Sequence, residues 1–287
     1  TLPRVATDAW REASDAARSA GVELRPLDGL DDAELILDVM IATWGEHQLI
    51  PRELIRALQE SGNVPWGAFA DEALIGYVMG FLGNDADGPH VHSHMLAVRP
   101  GRRSKGVGYA LKMAQRAQAL DVGVLVVRWT YDPMLARNAY FNLQKLGGFA
   151  DRFHRDFYGE MGDLLNRGDR SDRFVVRWDL DRFAAMFRQP DGRSVPVLGR
   201  SDDESVHPER VGDPRVEGDL VGAIVEIPPD YPELRNRKPD LAREWRDACA
   251  QAFEDCFAVG MVAVELDRTS SSYMFVAGPG IASWQDP

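Results

Sequence analysis

Apolar positions along the chain switch between helical and alternating spacing, and the switches mark out its elements. Residues 7–19 are polar and Ala-rich and read as a helical arm outside the main pattern, the arm as a whole being 1–20. Residues 22–27 alternate as a strand. Asp31 and Asp32 then open a helix with Leu35, Ile36, Val39, Met40 and Trp44 along one stripe, and Pro51 starts another with Leu54, Ile55 and Leu58. Strands are predicted over 66–70, 74–82 and 90–98, with a turn at Asp71-Glu72 and a loop over 83–88. Val107, Ala110, Leu111, Ala114, Ala117 and Leu120 recur at helical spacing, and 124–129 is the near-continuous apolar run of a central strand. A helix over 133–146, closed by Gly147-Gly148, precedes strands at 149–158 and 174–180 that flank a polar loop.

Beyond residue 182 the pattern weakens. Residues 183–218 carry Pro, Gly and acidic runs and read as a linker. A strand over 220–227, a break at Pro228-Pro229, a helix over 239–259 and strands at 261–266 and 273–277 follow. The class is therefore α/β (α+β): a main domain over 21–182 and a smaller C-terminal α/β extension over 219–287. A unit of that size is small for an independent core.

Composition narrows the class without naming a function. The 287 residues are 45% apolar and 27% charged, as in a soluble globular protein. No apolar run is long enough to span a bilayer, and residues 1–18 lack the apolar core of a signal peptide. Cys249 and Cys256 stand seven residues apart on one predicted helix, roughly 10 Å by helical rise, too far to bridge each other. The expected compartment is the cytoplasm. A net charge of −12 argues against a nucleic-acid partner, whose phosphates it would repel.

Chemistry concentrates after the third strand, in Val98-Arg99-Pro100-Gly101-Arg102-Arg103-Ser104-Lys105-Gly106-Val107-Gly108. A strand feeding a basic, Gly-containing turn that opens a helix aims unpaired N–H groups outward at the positive end of the helix dipole, which suits phosphate. The spacing is no dinucleotide fingerprint, since Leu111 stands three after Gly108, and no Gly-Lys-Ser/Thr makes it a Walker loop. What remains, Arg103-x-x-Gly106-x-Gly108 with Pro100 after the strand, resembles the acyl-CoA signature of the GNAT acyltransferases. The element order resembles that family over about residues 21–182.

The resemblance implies a mixed central sheet flanked by helices, with the C-terminal unit read either as an extension or as a degenerate half of the same fold. It also implies that Arg103, Ser104, Lys105, Gly106, Val107 and Gly108 hold the pyrophosphate of acetyl-CoA or another acyl-CoA. Leu96, Ala97 and Val98 would line the pantetheine, their N–H groups polarising the thioester carbonyl. The implied activity is N-acyl transfer, in particular acetyl transfer to a small-molecule amine, by direct attack in a ternary complex. The alternative is a catalytically silent acyl-CoA-binding or regulatory protein. No nucleic acid or membrane is implied as partner, and a homodimer is compatible with the sequence.

For a base, the sequence offers His92 and His94, which by alternation share a face with Leu96 and Val98. An imidazole at its usual pKa of about 6.5 would accept an ammonium proton near neutrality. No Asp, Glu or Cys joins the pair at metal-ligand spacing. The family's acid is a Tyr in N-x-x-A-x-x-x-Y-x-x-x-G-F; here that position is Leu143 or Gln144, depending on where the glycines are aligned. Tyr140, one turn earlier, is the available substitute, and Asn138 is a candidate pantetheine contact. Acceptor-side candidates are Trp44, Glu46 and His47 after the first domain helix, and Tyr158 and Arg173 bounding the later loop.

Overall fold

The computed structural model describes residues 2–46, 49–103, 105–163, 167–181, 193–201, 206–215 and 220–278. It separates into two compact units: residues 1–129 with 160–170 and 179–181, and residues 130–159 with 171–178 and 182–287.

The first unit is built on strands in the order β1-β2-β3-β4-β5: β1 (Glu23–Pro26), β2 (Trp66–Ala70), β3 (Ala73–Asp85), β4 (Gly88–Val98) and β5 (Val126–Tyr131, through Trp129). The pairs β1–β2, β2–β3 and β3–β4 are antiparallel, while β4 and β5 are parallel. α2 (Leu30–Trp44) and α3 (Arg52–Glu60) cover one face. Ile36, Val39, Met40 and Ile55 pack there on Phe69, Leu74, Tyr77, Met79 and Ala97. α4 (Val107–Asp121) covers the other face, where Val107 and Leu111 meet Ala68, Ile75, Val78, Leu96 and Val98.

The helix expected as an appended arm, α1 (Leu2–Ala20), lies along α4. Its buried stripe is Ala6, Ala9, Ala13 and Ala17, small side chains that let two helices approach closely. Trp10 donates to Asp121 at 2.6 Å and its ring lies 4.8 Å from that of Trp66, while Glu12 accepts from Arg116 at 2.9 Å. Sandwiched between α1 and the sheet, α4 is buried on nearly every side from Ala110 to Leu120.

The second unit orders its strands β7-β6-β11-β12-β10-β8-β9: β6 (Phe149–His154), β7 (Arg173–Asp179), β8 (Arg193–Arg200), β9 (Pro208–Arg210), β10 (Leu220–Glu226), β11 (Met261–Asp267) and β12 (Ser272–Ala277). Its helices are α5 (Ala136–Tyr140), α6 (Tyr231–Arg237) and α7 (Pro239–Ala258). Phe174 on β7 is its centre, with Phe253, Phe257 and Tyr273 rings 4.7 to 5.4 Å away. Cys249 and Cys256 face this core as free, buried thiols, and burial pushes the Cys256 thiol up to about 12.

Three expectations change here. Residues 183–218, read as linker, contain β8 and β9, masked in the sequence by Pro196, Gly199 and flanking arginines. The helix expected over 133–146 is five α-helical residues followed by a π-helical segment, Phe141–Lys145. The wider turn brings Leu146 N to Phe141 O and Gly148 N to Asn142 O. A side chain at Gly148 would meet Val176 at 2.7 Å, so the backbone approaches β7 only because that position is Gly. The third concerns a degenerate second half. The series β10-α6-α7-β11-β12 repeats the element types of β1-α2-α3-β2-β3, but β10 pairs with β12 whereas β1 pairs with β2. The connection differs, so the C-terminal unit is not a copy of the first.

Candidate active site

The basic turn lies between β4 and α4. Arg99 N donates to Ile75 O and Arg102 N to Arg99 O, closing the chain over Gly101, whose φ is 82°. Gly106 is the N-cap of α4 at φ 83°, with no side chain capping the helix. The first-turn N–H groups of Val107, Gly108 and Tyr109 precede the first intrahelical acceptor, Gly106 O, which is taken by Ala110. Arg102, Arg103 and Lys105 are exposed around them. Ser104, expected in the same loop, lies outside the described residues. A Cβ built on Gly106 points at Ala20 of α1, 3.5 Å away, and not into the amide cluster.

β4 supplies the second component. It pairs with β5 only at Val91↔Val127 and His92↔Arg128, and among the described residues runs on to Val98 with no β5 partner. Arg99 N bonds to β3, and antiparallel alternation gives Ala97 the same direction. Leu96 and Val98 therefore turn their N–H and C=O groups to the open edge. Val98 O accepts from Arg103 Nε at 3.2 Å, which ties the basic turn to that edge.

A β-bulge alters the histidines. Gly80 pairs with Ser93 and Met79 with Met95, so His94 is an inserted residue. Alternation resets there: Leu96 and Val98 stay on the α4 face, and Ser93 joins them, bonded to Lys112 of α4. His92 and His94 stand on the opposite face beside Phe81, which follows Tyr77 and Met79 in alternation. The expected shared face with Leu96 and Val98 is thus wrong, because one inserted residue flips every side chain before it.

His92 also departs from its expected titration. Burial, reinforced by His94, His90 and Lys112, lowers its pKa to about 4. Burial lowers that of His94 as well. Both rings are neutral at pH 7. Behind them, on the α4 face, buried Lys112 donates to Ser93 Oγ at 3.0 Å and Gln115 Oε1 at 2.7 Å, and its ammonium lies 3.9 Å from the Trp129 ring centre. Burial pushes its pKa well below the usual lysine value. Sequence reading missed this lysine because it counted only apolar positions along α4. The available signal was a cation among Leu111, Met113 and Ala114.

Of the acceptor-side candidates, Trp44 packs on the α2 core cluster, Glu46 is exposed, and His47 lies outside the described residues. Tyr140, Asn138, Tyr158 and Arg173 belong to the second unit. Asn138 is exposed, and the Tyr140 ring faces Arg268 at 5.1 Å and Lys145 at 6.0 Å. Tyr158 Oη is 3.0 Å from Thr130 Oγ1, and the buried Arg173 guanidinium stands 5.5 Å from the Tyr158 ring and 3.9 Å from Asp132. The two positions aligned with the family's Tyr are both engaged structurally. Leu143 is buried, and Gln144 donates to Leu266 O at 2.9 Å. Among the described residues, no cluster of three or more His, Cys, Asp or Glu could hold a metal ion. No helix among them is long and apolar enough to cross a membrane.

With this geometry in place, residues 33–147 match the model of the Acetyltransferase (GNAT) family. The chain carries a GNAT acetyltransferase domain. The match takes in β4, the basic turn and α4, and ends at Gly147 after the π-helical segment. No curated protein matches the chain. Among solved structures, the ribosomal-protein-S18-alanine N-acetyltransferase from Escherichia coli is 12% identical, with 58% of this chain and 99% of that one covered at a TM-score of 0.46. Naa20 from Chaetomium thermophilum, solved with a bisubstrate analogue, is 19% identical over 59% and 93% at 0.46. The yncA protein from Salmonella typhimurium, solved with acetyl-CoA, is 16% identical over 57% and 96% at 0.44.

Proposed function

We propose that this GNAT domain transfers an acetyl group from acetyl-CoA to the amine of a small molecule, by direct attack in a ternary complex. The observation that carries the reading is the pairing of two features: an uncapped, glycine-opened α4 N-terminus ringed by cations, and an unpaired β4 edge leading to it. These residues fit the cofactor. The N–H groups of Val107, Gly108 and Tyr109, with Arg103 and Lys105, would hold the pyrophosphate, and the outward groups of Leu96 and Val98 the amide-bearing arm. When bound, acetyl-CoA supplies an activated thioester.

The chain's own work is then to orient, polarise and move protons. A backbone N–H on the open β4 edge donates to a carbonyl oxygen as it gains charge, in a strand already fixed by β3. His92, neutral above about pH 4, accepts a hydrogen bond from the attacking amine instead of taking a full proton from an ammonium. Its low basicity means that the acceptor enters as the free amine. A thiolate is a good leaving group with a conjugate-acid pKa of about 8.5, so it takes up, through water, the proton that the amine nitrogen sheds on becoming the amide, and no phenol at position 143 or 144 is required. That removes the main ground for the silent acyl-CoA-binding alternative, which the acetyltransferase family match does not favour.

The test is calorimetric titration of the purified chain with acetyl-CoA, CoA and ATP in parallel. Saturable binding of the CoA species, weakened about tenfold or more by an Arg103→Glu, Lys105→Glu pair, is expected. Equal affinity for ATP, or no change in the double variant, would refute the donor site.

A further inference from the structure

The α2/α3 face of the β3–β4 hairpin ends in three rings that no helix covers completely. Phe81 lies directly opposite His92 in the ladder, their ring centres 5.1 Å apart. His94, displaced outward by the bulge, closes the triangle at 6.0 Å from His92 and 6.2 Å from Phe81. Phe81 and His94 are exposed and His92 is half-buried. The patch is bounded on one side by Met95 and Ala97, held against the α2 cluster, and on the other by buried His90 and the Arg128–Asp87 ion pair, 2.6 Å long.

Two facts make this more than a chance surface contact. First, the bulge creates the patch: with unbroken alternation from Val98, both His92 and His94 would face α4 and neither would stand beside Phe81. Second, both imidazoles are held neutral at pH 7 by burial, so the patch presents aromatic faces without charge. Flat, uncharged rings attract another ring by offset or edge packing and attract a cation at their faces. The strand carrying them is also the one whose outward amides flank the donor.

We infer that Phe81, His92 and His94 seat the body of the acceptor, and that the acceptor is a primary amine carried on a flat aromatic group. This inference rests on the amine-transfer reading above. A hydrophilic polyamine or amino alcohol would leave the rings wet and gain little from them. An acceptor with a negative charge beside its ring would meet the electron-rich ring faces and be repelled.

The test uses the full chain and two readouts. In the first, the ε1 proton resonances of His92 and His94 are followed while 2-phenylethylamine, 2-aminoethanol or spermidine is added, with no cofactor present. Saturable ring-current shifts with 2-phenylethylamine alone are expected; shifts with spermidine alone, or with none of the three, would overturn the inference. In the second, kcat/KM is measured with acetyl-CoA for each amine by thiol release. 2-Phenylethylamine should exceed 2-aminoethanol by about tenfold or more. Phe81→Ser should remove that preference through the amine KM and leave the acetyl-CoA KM unchanged. Phe81→Leu, which keeps the apolar area and so guards against misfolding, should retain only part of it. Equal kcat/KM for the amines would also overturn the inference. Ring shifts without any turnover or acetyl-CoA binding would instead sink the transfer reading and leave the ring site standing.

Discussion

Histidine 92 gives the sharpest test of the site's electrostatics. Its pKa falls from 6.5 to about 4, first because burial penalises the imidazolium and then because His94, His90 and Lys112 add like charge. In the unfolded chain the ring regains its ordinary value, so between about pH 6.5 and pH 4 the unfolded state binds a proton that the native state refuses. Stability therefore falls as pH drops through that window, and His92 exacts no penalty above it. A shift of this size is worth roughly 3 kcal/mol at full linkage. Solvent at the ring's open edge screens part of it, leaving about 1–2 kcal/mol. The assay has two arms: an NMR titration of the His92 ε1 proton from pH 3 to 8, and thermal melts of wild type and His92→Gln at pH 7 and pH 4.5. The wild-type resonance should move with a midpoint near 4, and the variant should lose less stability than wild type on acidification. His94→Gln should raise the His92 midpoint but leave it below 6.5, since burial is the larger cause. A wild-type midpoint between 6 and 7 would refute the burial argument. It would also restore His92 as an ordinary base with a rate inflection near neutrality.

Other perturbations read separate parts of the molecule. Gly106→Ala should cost about 1–2 kcal/mol, since φ there is 83°. It should weaken acetyl-CoA binding by shifting the loop towards Ala20 and not by filling the phosphate seat; undiminished thermal stability and affinity would count against the turn's geometry. Lys112→Met should cost about 1–2 kcal/mol, because an apolar chain of similar length fills the site but withdraws the donor from Ser93 Oγ and Gln115 Oε1. Lys112→Ala should lose about 2–4 kcal/mol by leaving a cavity, and equal denaturant midpoints for the two would refute that account. In the second unit, Arg246 donates two 3.0 Å bonds to Asp132 and is almost fully buried. Asp132→Ala should cost about 3–5 kcal/mol in denaturant unfolding by stranding that guanidinium, whereas an Asp132→Leu, Arg246→Met double variant should recover most of the loss.

How much of this was legible in the sequence follows the range over which each feature is decided. The β4–turn–α4 unit was readable because every determinant is local: the alternating strand, Gly106 at a positive φ, and the apolar recurrence from Val107 to Leu120. β8 was not, since Pro196 and Gly199 are breakers by themselves and the strand exists through its parallel pairing with β10, far along the chain. The π-helical segment likewise depends on a contact between Gly148 and β7 that no window around it contains.

The histidines show the same limit at the site itself. Counting by twos from Val98 places His92 on the α4 face, and nothing in His92-Ser93-His94-Met95 marks the extra residue. The bulge is fixed by partners: Gly80 has no side chain, so Ser93 can settle against it, and a Cβ there would meet His92 O at 2.6 Å. Lys112 then holds Ser93 from the helix side, and His94 is the residue displaced. Gly80 therefore links the strand register to the titration of His92. Gly80→Val should force the ladder apart at the bulge, with the His92 midpoint rising from near 4 towards its ordinary value as the ring is released to solvent. A Gly80→Val variant that folds and keeps the low midpoint would mean that the bulge does not set the environment of the ring.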